Sequence, residues 1–276
     1  MSAASFEGVG RVLLVGGGNM GAAMAGGWLA AGLDPQALCI VDPGPGDALR
    51  SLVGAGVRHV ASAPVGEPVD IVVLAVKPQV MPAVLDALLP ILPVGAMAIS
   101  VAAGRTIASI EAGLGARPVV RAMPNTPALI GRGITGAFAN PAVSPAQRDA
   151  ADALLAASGP VEWLESEGEI DIVTGVSGSG PAYVFLLAEA LAEAGVAEGL
   201  EPALAMRLAR HTVAGAGELM LRSAEDPAVL RRNVTSPNGT TQAALEILMA
   251  EAGLPMLLKS AVAAARRRAA ELSELP

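Results

Sequence analysis

Between Asn233 and Thr241 the chain reads Asn-Val-Thr-Ser-Pro-Asn-Gly-Thr-Thr, and a helical pattern follows at once. Asn233, Thr235, Ser236, Asn238, Gly239, Thr240 and Thr241 crowd one helix start, although one helix needs one N-cap. A helix start offers free N–H groups and the positive end of the dipole, so hydroxyls added there suit holding a ligand. An overcapped surface loop accounts for one or two of these residues but not for all. A second stretch, Gly16-Gly17-Gly18-Asn19-Met20-Gly21, matches G-x-G-x-x-G between an apolar run and a helical one. Its first glycine permits a tight turn, its second lets the backbone approach a pyrophosphate, and its third lets helix pack on strand. The helix N-terminus behind it supplies N–H groups to phosphates.

Other candidates are weaker alone. Asp42 ends a short apolar run about 20 residues beyond the glycine loop, where an acid bonds a ribose 2′-hydroxyl. It leans toward NAD, and the following Pro-Gly-Pro-Gly holds no arginine for a 2′-phosphate; an Asp-Pro pair also simply ends a strand in a turn. Lys77, in Ala75-Val76-Lys77-Pro78-Gln79, reads as a phosphate or substrate anchor or as a surface lysine. Asn125 and Thr126 sit in a loop stiffened by Pro124 and Pro127. Ser177-Gly178-Ser179-Gly180-Pro181 opens a helix, with Pro181 as its first residue. His59 and His211 lack neighbours at ligand spacing, so no metal site is expected. No G-x-S-x-G elbow supports a serine hydrolase.

Positioning these residues requires two kinds of element. Strands are expected at Arg11–Val15, Leu38–Val41, Val69–Val76, Ala96–Val101, Pro118–Ala122 and Ile134–Ala139, with helices near 19–31 and 47–55. Apolar strands alternating with helices predict a parallel sheet covered on both faces. Beyond Gly168 no strand is expected. Apolar helical runs cover 181–197, 202–223, 241–252 and 255–272, and helices apolar around much of their circumference belong in a bundle or against another subunit. The fold class is therefore α/β: a Rossmann-type dinucleotide-binding domain over 1–165, followed by an all-α domain over 166–276.

Composition narrows the class. A net charge of −8 argues against nucleic-acid and anionic-membrane surfaces. The Arg266–Arg268 run suits a helix C-terminus. With one cysteine, Cys39, no disulfide framework exists, and the thiol is expected in the core. No signal peptide is read, and every long apolar run carries charge or Gly/Pro breaks, so the expectation is a cytoplasmic protein.

In family order, the glycine loop, "AVKPQ" at 75–79, "MPNTP" at 123–127, "DIVTGVSGSGPAY" at 171–183 and "NVTSPNGTTQAAL" at 233–245 resemble pyrroline-5-carboxylate reductases. The resemblance implies hydride delivery from NADPH or NADH to a cyclic imine, giving L-proline in the last step of its biosynthesis. It implies a homodimer of interlocked helical domains, in some members assembled into a decamer. Carried over by position, cofactor contacts would come from Gly16, Gly18, Asn19, Met20, Gly21, Asp42, Ser62, Ala75, Val76, Lys77, Pro78, Ala102, Ala103, Asn125 and Asn233. Ser62 falls where the family often has Asn, and Asp42 where several members have Ser. Glu167, Ser236, Gly239, Thr240 and Thr241 match substrate positions, with Thr241 the catalytic candidate. The crowding at 233–241 then has a use: N–H groups and Ser236 for the substrate carboxylate, and Thr241 for the ring nitrogen.

Two rivals remain in view. A hydroxyacid dehydrogenase of the same plan needs a catalytic lysine in the helical half, where only Lys259 occurs. A non-catalytic nucleotide-binding protein would keep the glycine loop without the Ser236–Thr241 cluster.

Overall fold

The computed structural model describes residues 6–44 and 46–273. Their division into compact units separates residues up to Gly178 and from Ala265 onward, the first unit, from Ser179–Ala264, the second.

The first unit is built on an eight-stranded sheet. Its strands are β1 (Val12–Val15), β2 (Leu38–Val41), β3 (Arg58–Val60), β4 (Ile71–Leu74), β5 (Met97–Ser100), β6 (Val119–Met123), β7 (Thr135–Ala139) and β8 (Val161–Trp163). The spatial order is β3-β2-β1-β4-β5-β6-β7-β8. The first six run parallel; β7 pairs antiparallel with β6, with Arg121 opposite Phe138, and β8 runs parallel to β7. The expected all-parallel sheet is corrected at this edge. A short connection through Thr126–Ile130 leads from β6 to β7, and so brief a link permits only an antiparallel return. The strands β3 and β8 were not expected; each is three residues long and carries a charged residue.

Alternate residues of the strands feed two cores. On one face Val12, Leu14, Val73, Ile99 and Val120 pack with Met24 and Trp28 of α1 (Asn19–Ala30), Leu49 of α2 (Asp47–Gly54) and Leu154 of α5 (Pro145–Ala156). On the other, Leu13, Val15, Val72, Leu74 and Ala98 pack with Leu85 of α3 (Met81–Leu88) and Ile110 of α4 (Ile107–Leu114). Trp28 is fully buried and donates its indole N–H to the Leu154 carbonyl at 2.6 Å. Trp163 donates to Asp152 at 2.8 Å, and the Arg148 guanidinium lies 4.3 Å from its ring centre.

The first unit extends past residue 165. A short helix, α6 (Glu169–Val173), buries Ile170, and a Cβ at Gly136 of β7 would stand 2.9 Å from Val173. A π turn over Thr174–Gly178 follows. Packing of α6 on the sheet therefore carries the compact unit beyond the expected boundary.

The second unit contains α7 (Gly180–Ala197), α8 (Pro202–Arg222), α9 (Pro227–Asn233), α10 (Thr240–Leu248) and the start of α11 (Leu254–Ser273). The helix α9 was not expected; Asp226 caps it, accepting from the Ala228 N–H at 2.7 Å, and Pro227 begins it. Its own core is small, formed by Ala192, Ala205 and Ala209, whereas Phe185, Leu186, Leu208, Leu221 and Leu257 are exposed.

The expected Gly/Pro breaks do not interrupt helix here. Glu169–Ala197 is long and apolar enough, by length and composition, to cross a membrane. Pro181 sits in the first turn of α7, where a missing N–H costs no bond, and the π turn carries the chain through Gly175 and Gly178. The same profile describes a helix that another subunit covers.

Candidate active site

In an open parallel sheet, ligands bind beyond the carboxyl ends of the strands where the strand order reverses. Here the reversal lies between β1 and β4. Gly16–Gly21 follows β1, Asp42 follows β2, Ser62 follows β3, Ala75–Pro78 follows β4, Ala102 and Ala103 follow β5, and Asn125 follows β6. The fold thus gathers the first-unit cofactor candidates along one sheet edge.

The glycine turn has the backbone that a pyrophosphate requires. Gly16 has φ +103°, and a Cβ there would stand 2.5 Å from the Ala75 carbonyl oxygen. A Cβ at Gly21 would run into the Gly16 carbonyl oxygen, so helix and turn approach as closely as backbone allows. At Gly18 the space is open, with nothing within 4 Å of the position a Cβ would take. Gly18 is also the N-cap of α1 and provides no side chain to cap it. Exposed Asn19 and half-buried Met20 follow. An uncapped helix start beside open space fits a dinucleotide pyrophosphate.

Asp42 is held from several directions. One carboxylate oxygen accepts the Gly17 N–H at 2.7 Å and the other accepts the Gly44 N–H at 2.8 Å. Its carbonyl lies 2.8 Å from His59 Nε2; a carbonyl only accepts, so that nitrogen carries the proton.

Along the rest of the edge, Lys77 is exposed, Ala102 buried and Ala103 exposed. Arg105 reaches from the loop after β5 to the Pro78 carbonyl at 2.9 Å, joining two cofactor loops. The sequence reading missed Arg105, because one arginine in a loop carries no spacing signal. Asn125 uses its side-chain oxygen on the Ile134 N–H at 3.0 Å, which closes its own loop.

Glu167 belongs to the first unit. One of its oxygens accepts the Ile107 N–H at 2.7 Å and lies 3.2 Å from the buried Arg121 guanidinium. Asp171 lies 3.1 Å from the other arm of Arg121. Glu167 therefore acts on the start of α4 and on β6.

In the second unit, the polar run behaves differently from a set of caps. Gly239 is the N-cap of α10, and no side chain caps that helix. Thr235 donates to the Arg231 carbonyl at 2.6 Å, and Asn233 donates its amide to Glu225 at 3.1 Å. Asn238, at φ +57°, donates its N–H to Gln242 at 2.8 Å. Gly239 donates its N–H to the Ser236 carbonyl at 3.0 Å, and a Cβ on it would collide with the Ser236 hydroxyl. The hydroxyls of Ser236, Thr240 and Thr241 have no hydrogen-bond partner among the described residues. The loop is tied by some of its polar groups, and three hydroxyls are left available at an uncapped helix start.

Comparison with known proteins agrees with both halves. Residues 11–104 match a family model described as NADP oxidoreductase, coenzyme F420-dependent, and residues 167–272 match one described as pyrroline-5-carboxylate reductase dimerisation. The glycine turn on a doubly covered sheet, with these matches, defines an NAD(P)H-dependent oxidoreductase. The chain is 46% identical over 272 residues to the pyrroline-5-carboxylate reductase of Pseudomonas aeruginosa, spanning 96% of this chain and 97% of that one. Its likeness to the Mycobacterium tuberculosis enzyme is 38% over 293 residues, 98% of this chain and 99% of that one. The solved pyrroline-5-carboxylate reductase of Coxiella burnetii superposes with a TM-score of 0.89 at 38% identity, covering 97% of this chain and 100% of that one. The Plasmodium falciparum enzyme, solved with NADP bound, superposes with a TM-score of 0.79 at 27% identity, covering 96% and 98%. The chain belongs to the pyrroline-5-carboxylate reductase family.

Proposed function

We propose that the chain reduces the cyclic imine 1-pyrroline-5-carboxylate to L-proline, the last step of proline biosynthesis. One observation carries the reading: Ser236, Thr240 and Thr241 present unpartnered hydroxyls at the uncapped start of α10. A substrate with a carboxylate beside a ring nitrogen needs that combination. The free N–H groups and the Ser236 hydroxyl hold the carboxylate, with hydrogen bonds to a charged group worth about 1.5–3 kcal/mol each. Gly239 lets backbone come close, and Thr240 adds its N–H to the same turn. The Thr241 hydroxyl orients the ring nitrogen or relays a proton to it from water as the imine becomes an amine. A threonine hydroxyl is too weak an acid to do this alone at neutral pH.

A reduced nicotinamide held at the glycine turn of Gly16–Gly21 would supply the hydride. The protein's contribution is chiefly orientation, which in favourable cases lowers a barrier by roughly 7–11 kcal/mol. Gly16, Gly18 and Gly21 shape the pyrophosphate turn, Asn19 and Met20 begin the helix behind it, and Ala75–Pro78, Ala102 and Ala103 line the strand ends beside it. Lys77, Ser62 and Asn125 border this edge. Asn233, its amide held by Glu225, is the second unit's cofactor candidate. Glu167 fixes the start of α4 with one carboxylate oxygen and is also the substrate residue that the family resemblance implies.

The functional division falls near residue 165, with 1–165 binding dinucleotide and 166–276 serving substrate and assembly. The exposed apolar faces of α7 and α8 are the dimer contact, and the dimers assemble further into a decamer. We place the enzyme in the cytoplasm. Absorbance at the reduced-nicotinamide band, followed with and without 1-pyrroline-5-carboxylate, tests the reading. Imine-dependent oxidation with stoichiometric proline supports it, and cofactor binding without turnover refutes it.

A further inference from the structure

We propose that Asp42 makes this enzyme prefer NADH to NADPH; the inference rests on the cofactor assignment above. A 2′-phosphate on the adenine ribose would lie beyond the end of β2, beside the glycine turn. Binding it there requires donors or cations. The donors are occupied: Asp42 takes the Gly17 N–H with one oxygen at 2.7 Å and the Gly44 N–H with the other at 2.8 Å. The carboxylate thus stands where the phosphate would need to stand and holds the N–H groups the phosphate would use.

Cations do not compensate. No ion pair among the described residues involves Asp42. The nearest arginine in sequence, Arg50, lies 3.1 Å from Asp47, and both are exposed. His59 spends its Nε2 proton on the Asp42 carbonyl. A phosphate dianion would therefore meet a fixed carboxylate, whereas a ribose 2′-hydroxyl would find a hydrogen-bond acceptor with lone pairs to spare.

The test compares kcat/KM for the two cofactors at saturating imine, together with their dissociation constants by calorimetry without imine. Wild-type enzyme is expected to favour NADH by about tenfold to a hundredfold, mostly through KM. Asp42→Asn keeps the side-chain shape and removes the charge, so it should shrink that ratio by about tenfold or more. Asp42→Ser is the second variant should Asp42→Asn fail to fold. Equal or better use of NADPH by the wild type, or an unchanged ratio in both folded variants, overturns the inference. A selective loss of NADPH use in Arg50→Ala also overturns it, since Arg50 would then be serving a phosphate. An NADH preference seen in calorimetry with no imine turnover would sustain this inference while sinking the proposed reaction.

Discussion

The Arg121 guanidinium, only 2% exposed, lies 3.2 Å from a Glu167 oxygen that also accepts the Ile107 N–H at 2.7 Å. One carboxylate thereby joins β6 to the start of α4. Removing the cation leaves Glu167 and Asp171 without their partner in a half-buried position. Arg121→Met is expected to cost about 3–5 kcal/mol. Glu167→Gln, which keeps an acceptor for Ile107, should cost less. Urea unfolding of both variants measures the difference, and an Arg121→Met variant as stable as the wild type would show that the charge pairing is immaterial.

At the glycine turn, Gly21→Ala should abolish cofactor binding, because its Cβ has no room beside the Gly16 carbonyl. Gly18→Ala meets open space in the protein alone, so it should fold normally and lose affinity only when the cofactor arrives. Calorimetric titration of each folded variant separates the two outcomes.

In the substrate loop, Thr241→Ala should lower kcat by about a hundredfold, the small end of what positioned proton transfer contributes. Ser236→Ala should instead raise the imine KM by roughly tenfold to a hundredfold, the loss of one hydrogen bond to a charged group. Steady-state kinetics with the imine varied will show whether the effects split this way; wild-type behaviour in both variants would remove the loop from the reaction.

Phe185 of α7 is 63% exposed in the single chain. Phe185→Glu places a charge on that apolar face and should shift the protein toward monomer in sedimentation. The wild type's melting temperature should rise with protein concentration, as mass action requires of an oligomer. A concentration-independent melt together with an unchanged sedimenting mass in the variant would rule out this face as the contact.

Cys39 yields a pH prediction. Burial pushes its thiol up, Arg58 pulls it down, and Glu67 raises it further. The folded thiol then holds its proton to higher pH than the unfolded one. Stability from this group is complete below the unfolded thiol's pKa of about 8.5 and is lost as pH rises through the folded value. Alkylation by iodoacetamide should therefore accelerate at a higher pH in the native chain than in the urea-unfolded chain, and Cys39→Ser should flatten the alkaline stability slope. Identical alkylation profiles for native and unfolded chains would contradict this.

Legibility in the sequence followed the range of the interactions involved. Strand β2 stands at its expected limits, Leu38–Val41, because an apolar run between turn residues is local information. The glycine turn was legible for the same reason. The strands β3 and β8 were not, since Arg-His-Val and Val-Glu-Trp gain their conformation from a neighbouring strand. The antiparallel β7 was hidden by its composition, which does not encode direction. Helix α9 was not legible either, since it is only seven residues long and ends in Arg231-Arg232-Asn233 rather than in an apolar run. The site divides likewise. The contiguous Ser236–Thr241 run was visible, whereas Arg121 meets Glu167 across 46 residues and no spacing could reveal it. Thr235 looked equivalent to Ser236 in sequence, and only the structure shows its hydroxyl spent on the Arg231 carbonyl.

The placement of the aromatic residues has an optical consequence. The two tryptophans, Trp28 and Trp163, both lie in the first unit, and the single tyrosine, Tyr183, lies in the second. Tryptophan emission therefore originates in the dinucleotide-binding half, and Trp28, sealed from solvent, should emit in the blue until that half opens. Tyrosine emission originates in the helical half, from Tyr183 alone. One chain thus carries two separate colour channels, one for each unit, without any label being attached.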